Sequence, residues 1–253
     1  MPATERKAVS GTRPAGTSDE RSAAAAVREM FGRVAPRYDL LNRVLSMRID
    51  TLWWRRTARA FADALRRPGA RVLDLCCGTG DMALALQREA LRQKGSPHIV
   101  GVDFAHPMLV RAREKFRGTG ITAFEADALA LPLEDASFDL VTSAFGFRNL
   151  ANYDKGLAEI YRVLAPGGEV GILDFGTPTG LLAPIYQAYF WHLLPAIGNT
   201  ISGVKGAYSY LPASVARFPD PEEMLARMRA AGFREVSWTP YMKGIAGLYR
   251  GKK

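Results

Sequence analysis

Residues 71–83 read RVLDLCCGTGDMA. Arg71 to Cys76 is a short β-rich run, and over Asp81 to Gln93 the residues Met82, Leu84, Leu86 and Leu91 supply the apolar positions of a helix. Between them stands the glycine turn Gly78-Thr79-Gly80. A strand feeding a helix through such a turn is the opening unit of a doubly wound α/β sheet. The pattern continues toward the C-terminus. His98 to Phe104 is a second strand, Pro107 to Phe116 a helix with proline near its first turn, and Ile121 to Glu125 and Phe138 to Ala144 are further strands. The helix Tyr153 to Leu164, the turn Pro166-Gly167-Gly168 and the strand Glu169 to Phe175 follow. Such alternation implies right-handed crossovers and a mainly parallel sheet, whose ligands bind at the carboxyl ends of the strands. The chemistry is therefore expected just after Cys76, Asp103, Glu125, Ala144 and Asp174.

The whole chain has 253 residues, 48% apolar and 23% charged, the balance of a globular protein rather than a disordered or collagenous one. Its 34 Lys and Arg exceed its 25 Asp and Glu, a net charge of +9. That surplus is unevenly placed. Residues 68–179 carry 11 basic and 14 acidic groups, whereas 32–67 carry nine against three and 180–253 nine against four. A basic surplus flanking an acidic block suggests a polyanionic partner, either nucleic acid or an anionic membrane surface. The two cysteines, Cys76 and Cys77, are adjacent; they can neither staple the fold nor make a Cys-x-x-Cys site, and no metal is expected. Leu181 to Ile197, the most apolar stretch, is broken by Pro184, His192 and Pro195 and is too short to span ~30 Å of hydrocarbon. A cytoplasmic protein is the default reading.

Gly78-x-Gly80-x-x-Ala83 also fits the dinucleotide fingerprint, in which a pyrophosphate sits at the helix N-terminus. Asp81 opposes that ligand, because a carboxylate at the start of the helix repels a pyrophosphate. S-adenosylmethionine has no phosphate: it is an adenosine carrying a positive sulfonium and an amino-acid end. Asp74-x-x-x-Gly78-x-Gly80 resembles the loop of class I methyltransferases. Asp103, closing the second strand, is then the acceptor for the ribose hydroxyls, and Asp127-Ala128, past the third, meets the adenine edge. The alternative for both aspartates is a helix cap. The fourth strand closes on Ser143-Ala144-Phe-Gly-Phe-Arg148-Asn149, without the Pro-Pro-Tyr loop of amino-group methylases or the Pro-Cys nucleophile of cytosine-carbon enzymes. Methylation of nucleic-acid bases loses most of its weight.

From about Val27 onward the chain resembles the quinone-biosynthesis C-methyltransferases, the family that methylates demethylmenaquinol and 2-polyprenyl-6-methoxy-1,4-benzoquinol. The resemblance rests on Met30 to Asn42 (MFGRVAPRYDLLN), Ser46 with Trp53-Trp54-Arg55, and Leu73 to Asp81. It rests also on Gly146-Phe-Arg148-Asn149, Leu194 to Gly198, Tyr208 to Ser214 (YSYLPAS) and Phe218-Pro219. It implies a Rossmann-like class I domain over 27–253 behind a disordered leader over 1–26, whose Gly, Ser, Thr, Pro and Ala content reads as unstructured. Within that domain it implies a helical arm (27–67), a cofactor-binding core (68–179), an acceptor lid (180–219), and a C-terminal helix with final antiparallel strands (220–253). Thr79, Asp103 and Asp127-Ala128 are implied to touch S-adenosylmethionine. Ala144 stands where the family usually has serine, so a side-chain hydrogen bond is lost there.

A hydroquinone carbon attacks a sulfonium methyl once an ortho phenol is ionised or nearly so, and a phenol with a pKa of ~10 needs a base or a nearby cation for that. Arg148 is the first candidate, with a structural pairing to Asp174 as the alternative, and Asn149 is expected to orient the ring oxygen or the cofactor. Of the three histidines, His98 opens a strand at the far end of the sheet, His106 suits a helix start, and His192 lies in an aromatic segment expected to cover the acceptor. Tyr38 and Asp39 are either a lid over the cofactor or a helix start capped by Asp39. Tyr208 and Tyr210 are expected either at the quinol's edge or in the core. The expected substrate is demethylmenaquinol, with the benzoquinol open. Expected partners are the polyprenyl quinol and an anionic membrane surface at the inner face of the cytoplasmic membrane, with room for a homodimer and without nucleic acid. A small-molecule O-methyltransferase is the nearest rival, a basic nucleic-acid-binding module a more distant one.

Overall fold

The glycine turn lies at the centre of a seven-stranded sheet in the computed structural model, which describes residues 10–178, 183–190 and 207–253. The strands are β1 (Arg71–Leu75), β2 (His98–Asp103), β3 (Thr122–Glu125), β4 (Phe138–Ala144), β5 (Leu164–Phe175), β6 (Arg234–Tyr241) and β7 (Ala246–Lys252). Their order is β3-β2-β1-β4-β5-β7-β6. The first five are parallel, and β7 runs antiparallel to both β5 and β6. The strand order reverses between β1 and β4, so the carboxyl ends of these two strands flank the crevice where such sheets take their ligands.

Alternation along each strand builds a core on both faces. Leu73 and Leu75 of β1 join Val141 of β4 and Ile172 of β5 in a cluster closed by the helix Tyr153–Val163 and by Met224 and Met228 of the helix Pro221–Ala230. Val72, Leu140 and Leu173 face the opposite way, onto Phe61, Leu65, Leu86 and Phe116. Helices α1 (Glu20–Val34), α2 (Tyr38–Leu45), α3 (Ile49–Ala60) and α4 (Ala62–Arg66) precede the sheet. After the glycine turn come α5 (Asp81–Arg92), between β1 and β2, and α6 (His106–Phe116), between β2 and β3.

Two expectations change. The leader expected to be disordered to Ala26 is held from Ser10 onward and is helical from Glu20. Asp19 accepts from the Ser22 N–H at 2.7 Å and Ser22 returns a bond to the Asp19 N–H, a reciprocal cap over an alanine-rich helix. Upstream, Tyr153 N–H donates to Ser10 O (2.7 Å) and Thr12 N–H to Leu150 O (2.8 Å). Gly11 fits there because a Cβ would stand 2.1 Å from Ala151 O. The second change is local. Pro166-Gly167-Gly168 does not end one element and start another; β5 runs through it from Leu164, with a register shift against β4 between Phe138 and Leu140. Gly167 N–H and Gly168 O pair with Lys253, which keeps these residues in the sheet.

Candidate active site

The chain turns sharply as β1 ends. Cys76 takes a left-handed conformation (φ 55°), and Gly78 and Gly80 follow at 55° and 89°. That region costs a residue with a Cβ roughly 1–2 kcal/mol, so surrounding packing must impose it. The loop after β4 does the same at Phe145 (φ 57°). The two loops meet: a Cβ on Gly146 would lie 2.4 Å from that of Cys76. Both side-chain-bearing turns thus stand at the strand-order switch.

Asp103, at the end of β2, fastens the first loop. Its Oδ2 accepts from Gly78 N–H (2.8 Å) and its Oδ1 from Ala105 N–H (2.9 Å). Each oxygen keeps a lone pair for a further donor. Burial pushes this carboxyl up to about 6. Asp74 is fully buried beneath the loop and is pushed by burial to about 7. Its register partner on β4, Thr142, donates to Oδ1 at 2.9 Å, while Oδ2 has no partner among the described residues. Asp127 is exposed and accepts from Leu129 N–H (2.9 Å) within a turn, not at the start of a helix as its alternative role had it. Cys76 and Cys77 have thiol pKa values raised well above the ordinary range, by burial first and then by the Asp103 and Asp74 carboxylates.

One cavity of about 570 Å³ gathers these groups, a volume ordinary for a small-molecule site. Asp74, Gly78, Thr79, Asp103, Asp127 and Ala128 line it from β1, β2 and the loop after β3. Ala144 lines it from the end of β4, Arg148 and Asn149 from the turn after that strand, and Tyr38 and Tyr210 from the helices above. Gly80 is not in the wall; it is the N-cap of α5, where a Cβ would lie 2.4 Å from the Phe116 ring. Five aspartates, Asp50, Asp74, Asp81, Asp103 and Asp127, face a single base, Arg148, among the described lining residues. An acidic wall suits a cationic sulfonium and an ammonium and repels a pyrophosphate.

The model of the ubiE/COQ5 methyltransferase family matches residues 17–253. The chain belongs to that family. The demethylmenaquinone methyltransferase of Deinococcus radiodurans is 49% identical over 238 residues, 93% of this chain and 95% of that one. The enzyme of the same name from Thermus thermophilus is 50% identical over 227 residues, 88% and 100% of the two chains. Among solved structures, a Thermotoga maritima S-adenosylmethionine-dependent methyltransferase, titled a possible histamine N-methyltransferase, superposes with a TM-score of 0.62 at 21% identity. It covers 90% of this chain and 99% of that one. The protein is a methyltransferase of the class I Rossmann-like fold, and its methyl donor is S-adenosylmethionine.

Within this ubiE/COQ5 fold, Arg148 takes the pairing foreseen as its structural alternative. Its Nη1 donates to Asp174 Oδ1 (2.9 Å) and to Phe145 O, its backbone N–H donates to Asp174 Oδ2 (3.0 Å), and its guanidinium carbon lies 5.1 Å from the Phe175 ring centre. Its Nε is buried without a partner among the described residues. Asn149 Oδ1 accepts from the Tyr210 hydroxyl (3.0 Å), which is 2.8 Å from Thr12 Oγ1. Tyr38 packs edge-on against Phe31, ring centres 6.2 Å apart.

Asp39 is no helix cap; Thr79 Oγ1 donates to it at 2.6 Å, tying α2 to the glycine turn. Lys115, on α6, completes that tie, with Nζ 2.8 Å from Asp39, 2.9 Å from Asp81 and 3.0 Å from Thr79 Oγ1. Asp81 thus shares one cation with Asp39, and opposition to a pyrophosphate rests on the whole acidic wall rather than on that residue alone. His98 is exposed, and His106 sits outside the cavity with Nδ1 3.0 Å from Glu125. His192 lies outside the described residues, as does the side chain of Tyr208. Lys115, Asp50 and Thr12 escaped the sequence reading, for nothing local to them signals a partner so distant in the chain.

Proposed function

We propose that this methyltransferase carries a methyl group to a ring carbon of a polyprenyl quinol, with demethylmenaquinol as the principal acceptor, at the inner face of the cytoplasmic membrane. One observation carries the reading: the acidic cavity continues into an aromatic slot. Trp53, Phe145 and Phe175 contact one another with ring centres 4.5–6.2 Å apart, Phe190 adjoins Phe175, and all four line the same cavity as Asp103. A flat apolar ring fits such a slot, and relatives named as demethylmenaquinone methyltransferases at about half identity support the naphthoquinol.

S-adenosylmethionine supplies an electrophilic methyl on a positively charged sulfur. Asp103 is the acceptor for the ribose hydroxyls, with Gly78 held in place by the same carboxylate. Thr79, Tyr38, Asp74, Asp127, Ala128 and Ala144 form the rest of that pocket. Arg148, through its spare Nε–H, stabilises charge developing on the ring oxygen, while Asn149 and Tyr210 hold the ring's polar edge. Tyr208 and His192 belong to the acceptor lid in this reading. The test is turnover of short-chain demethylated naphthoquinol, benzoquinol and catechol with labelled donor. Naphthoquinol methylated on carbon is the expected product; methyl on oxygen, or catechol as the better acceptor, overturns the reading.

The basic surplus falls beside exposed apolar side chains. Leu40, Met47, Leu52 and Met242 are exposed, and Arg43, Arg48, Arg55 and Arg56 are exposed on the same arm. Met47 and Met242 also line the cavity. Apolar groups interleaved with arginines suit an anionic bilayer, from which a polyprenyl substrate can enter. No helix among the described residues is long and apolar enough to cross a membrane, so the contact is peripheral in this reading. Flotation with anionic but not neutral vesicles is expected. Leu40→Asp/Leu52→Asp should abolish it while leaving turnover of a water-soluble quinol within about twofold. Equal flotation with both vesicle types defeats the docking proposal.

A further inference from the structure

Two buried polar atoms in the aromatic part of the cavity have no partner. Asp50 is 5% exposed; Thr51 N–H serves its Oδ1 at 2.7 Å, but its Oδ2 has no hydrogen-bond partner among the described residues. Trp53 is also 5% exposed, and its indole N–H is equally unpartnered. Both residues line the cavity. Three apart on α3, they share one face of that helix. Leaving such a group unsatisfied in the interior is unfavourable, and more so when it is charged. An acceptor and a donor orphaned one helical turn apart can be matched by a single hydroxyl, which is both donor and acceptor.

We infer that Asp50 and Trp53 hold the acceptor's hydroxyl, with Asp50 Oδ2 taking its proton and the Trp53 N–H bonding the oxygen left behind. The inference rests on the quinol reading above and supplies the base that reading lacks. Arg148 cannot take a proton and is committed to Asp174, and an amide such as Asn149 is no base. Asp74 Oδ2 is also unpartnered, but it lies under the glycine turn, bonded through its other oxygen to Thr142. Asp50 lies one helical turn before the indole that packs on Phe145 and Phe175. Burial raises its carboxyl above the usual range; Asp81 adds to the rise, while Thr51 N–H, Ser46 and Arg43 oppose it. A raised carboxyl pKa makes a better base while still allowing ionisation.

The step balances. The hydroxyl proton passes to Asp50 as the ortho ring carbon bonds to the methyl carbon, and the methyl–sulfur bond breaks with its electron pair left on sulfur. The ring carbon then gives its own hydrogen to water, and the ring oxygen recovers the proton from Asp50. One proton is released per turnover and the carboxylate is regenerated.

Asp50→Asn and Trp53→Phe are compared with the wild type in three measurements: affinity for S-adenosylhomocysteine by calorimetry, affinity of the S-adenosylhomocysteine-loaded enzyme for short-chain demethylated naphthoquinol, and turnover. Asp50→Asn should keep nucleoside affinity within about twofold and lower kcat roughly 100- to 1,000-fold, the ordinary contribution of a general base. Trp53→Phe, which keeps a ring, should weaken quinol binding to the loaded enzyme about tenfold, the equivalent of one hydrogen bond to a polarised oxygen. Turnover within threefold of wild type for Asp50→Asn overturns the inference, as does unchanged quinol affinity in Trp53→Phe. Should Asp50→Asn fail to fold, the Trp53→Phe binding result alone decides. Wild-type enzyme that binds the nucleoside but neither binds nor methylates the quinol defeats the quinol reading instead.

Discussion

Asp103→Ala is expected to weaken S-adenosylhomocysteine binding by at least about 100-fold. Hydrogen bonds to a charged acceptor contribute roughly 1.5–3 kcal/mol each, and two ribose hydroxyls would lose theirs together. The same carboxylate holds Gly78 and Ala105 N–H groups, so the glycine turn loosens as well. Asp103→Asn, which keeps one acceptor oxygen, should lose less. The wild type offers an independent check through pH. With the free-enzyme carboxyl at about 6, affinity should be flat above that value and fall below it, as protonation removes the acceptor. Stability of the unliganded protein should move the other way. The folded pKa of about 6 exceeds the ordinary 3.8, so the ionised group destabilises the fold by about 3 kcal/mol above pH 6. That cost is relieved as pH falls from 6 toward 4. Calorimetric titration and thermal unfolding across pH 5–8 read the two opposing trends; affinity that holds steady below pH 6 would remove Asp103 from the ribose.

Arg148→Ala should destabilise the protein by about 3–5 kcal/mol, because it leaves the fully buried Asp174 with only backbone donors. Lost turnover in that variant alone would not distinguish chemistry from collapse. Arg148→Met/Asp174→Asn does: no buried charge is left unpaired and the amide oxygen still accepts from a backbone N–H, so most of the stability is expected to return. If the spare Nε–H acts on the ring oxygen, kcat stays down by about 100-fold in the double variant. Urea unfolding and single-turnover rates measure the two quantities, and a double variant with wild-type kcat would leave Arg148 a structural role alone.

The sequence made the sheet legible because its strands and turns are locally encoded: RVLDLC, HIVGVD and FDLVTSA each carry the apolar run and the flanking turn that a central strand needs. Asp74 and Asp103 could be placed because they lie within β1 and at the end of β2, and Thr79 and Asp127 because they stand shortly past β1 and β3. What escaped depends on contacts between distant segments. Ser10 to Ala26 has the composition of a tail, yet Gly11 fits against Ala151 where no other residue can, and the Asp19/Ser22 cap was a local signal passed over. Lys115 reads as an ordinary basic residue in a helix until α2 brings Asp39 beside the glycine turn. Asp50 looks like a first-turn acid in favourable register with its helix dipole, and its missing partner is visible only in three dimensions.

The adjacent cysteines after β1 acquire a meaning that disulfide or metal chemistry does not give them. Cys76 and Cys77 both line the cavity proposed to take the sulfonium, and a thiolate is a better nucleophile toward a sulfonium methyl than any phenolate. Burial and the carboxylates of Asp103 and Asp74 keep both thiols protonated at neutral pH. Burial first, and the acidic wall after it, thus keep the two thiols unreactive toward a sulfonium methyl. Substitutions that open the buried loop to water would carry a hazard beyond weaker binding, because burial is the larger part of what keeps a thiolate from forming beside the methyl donor.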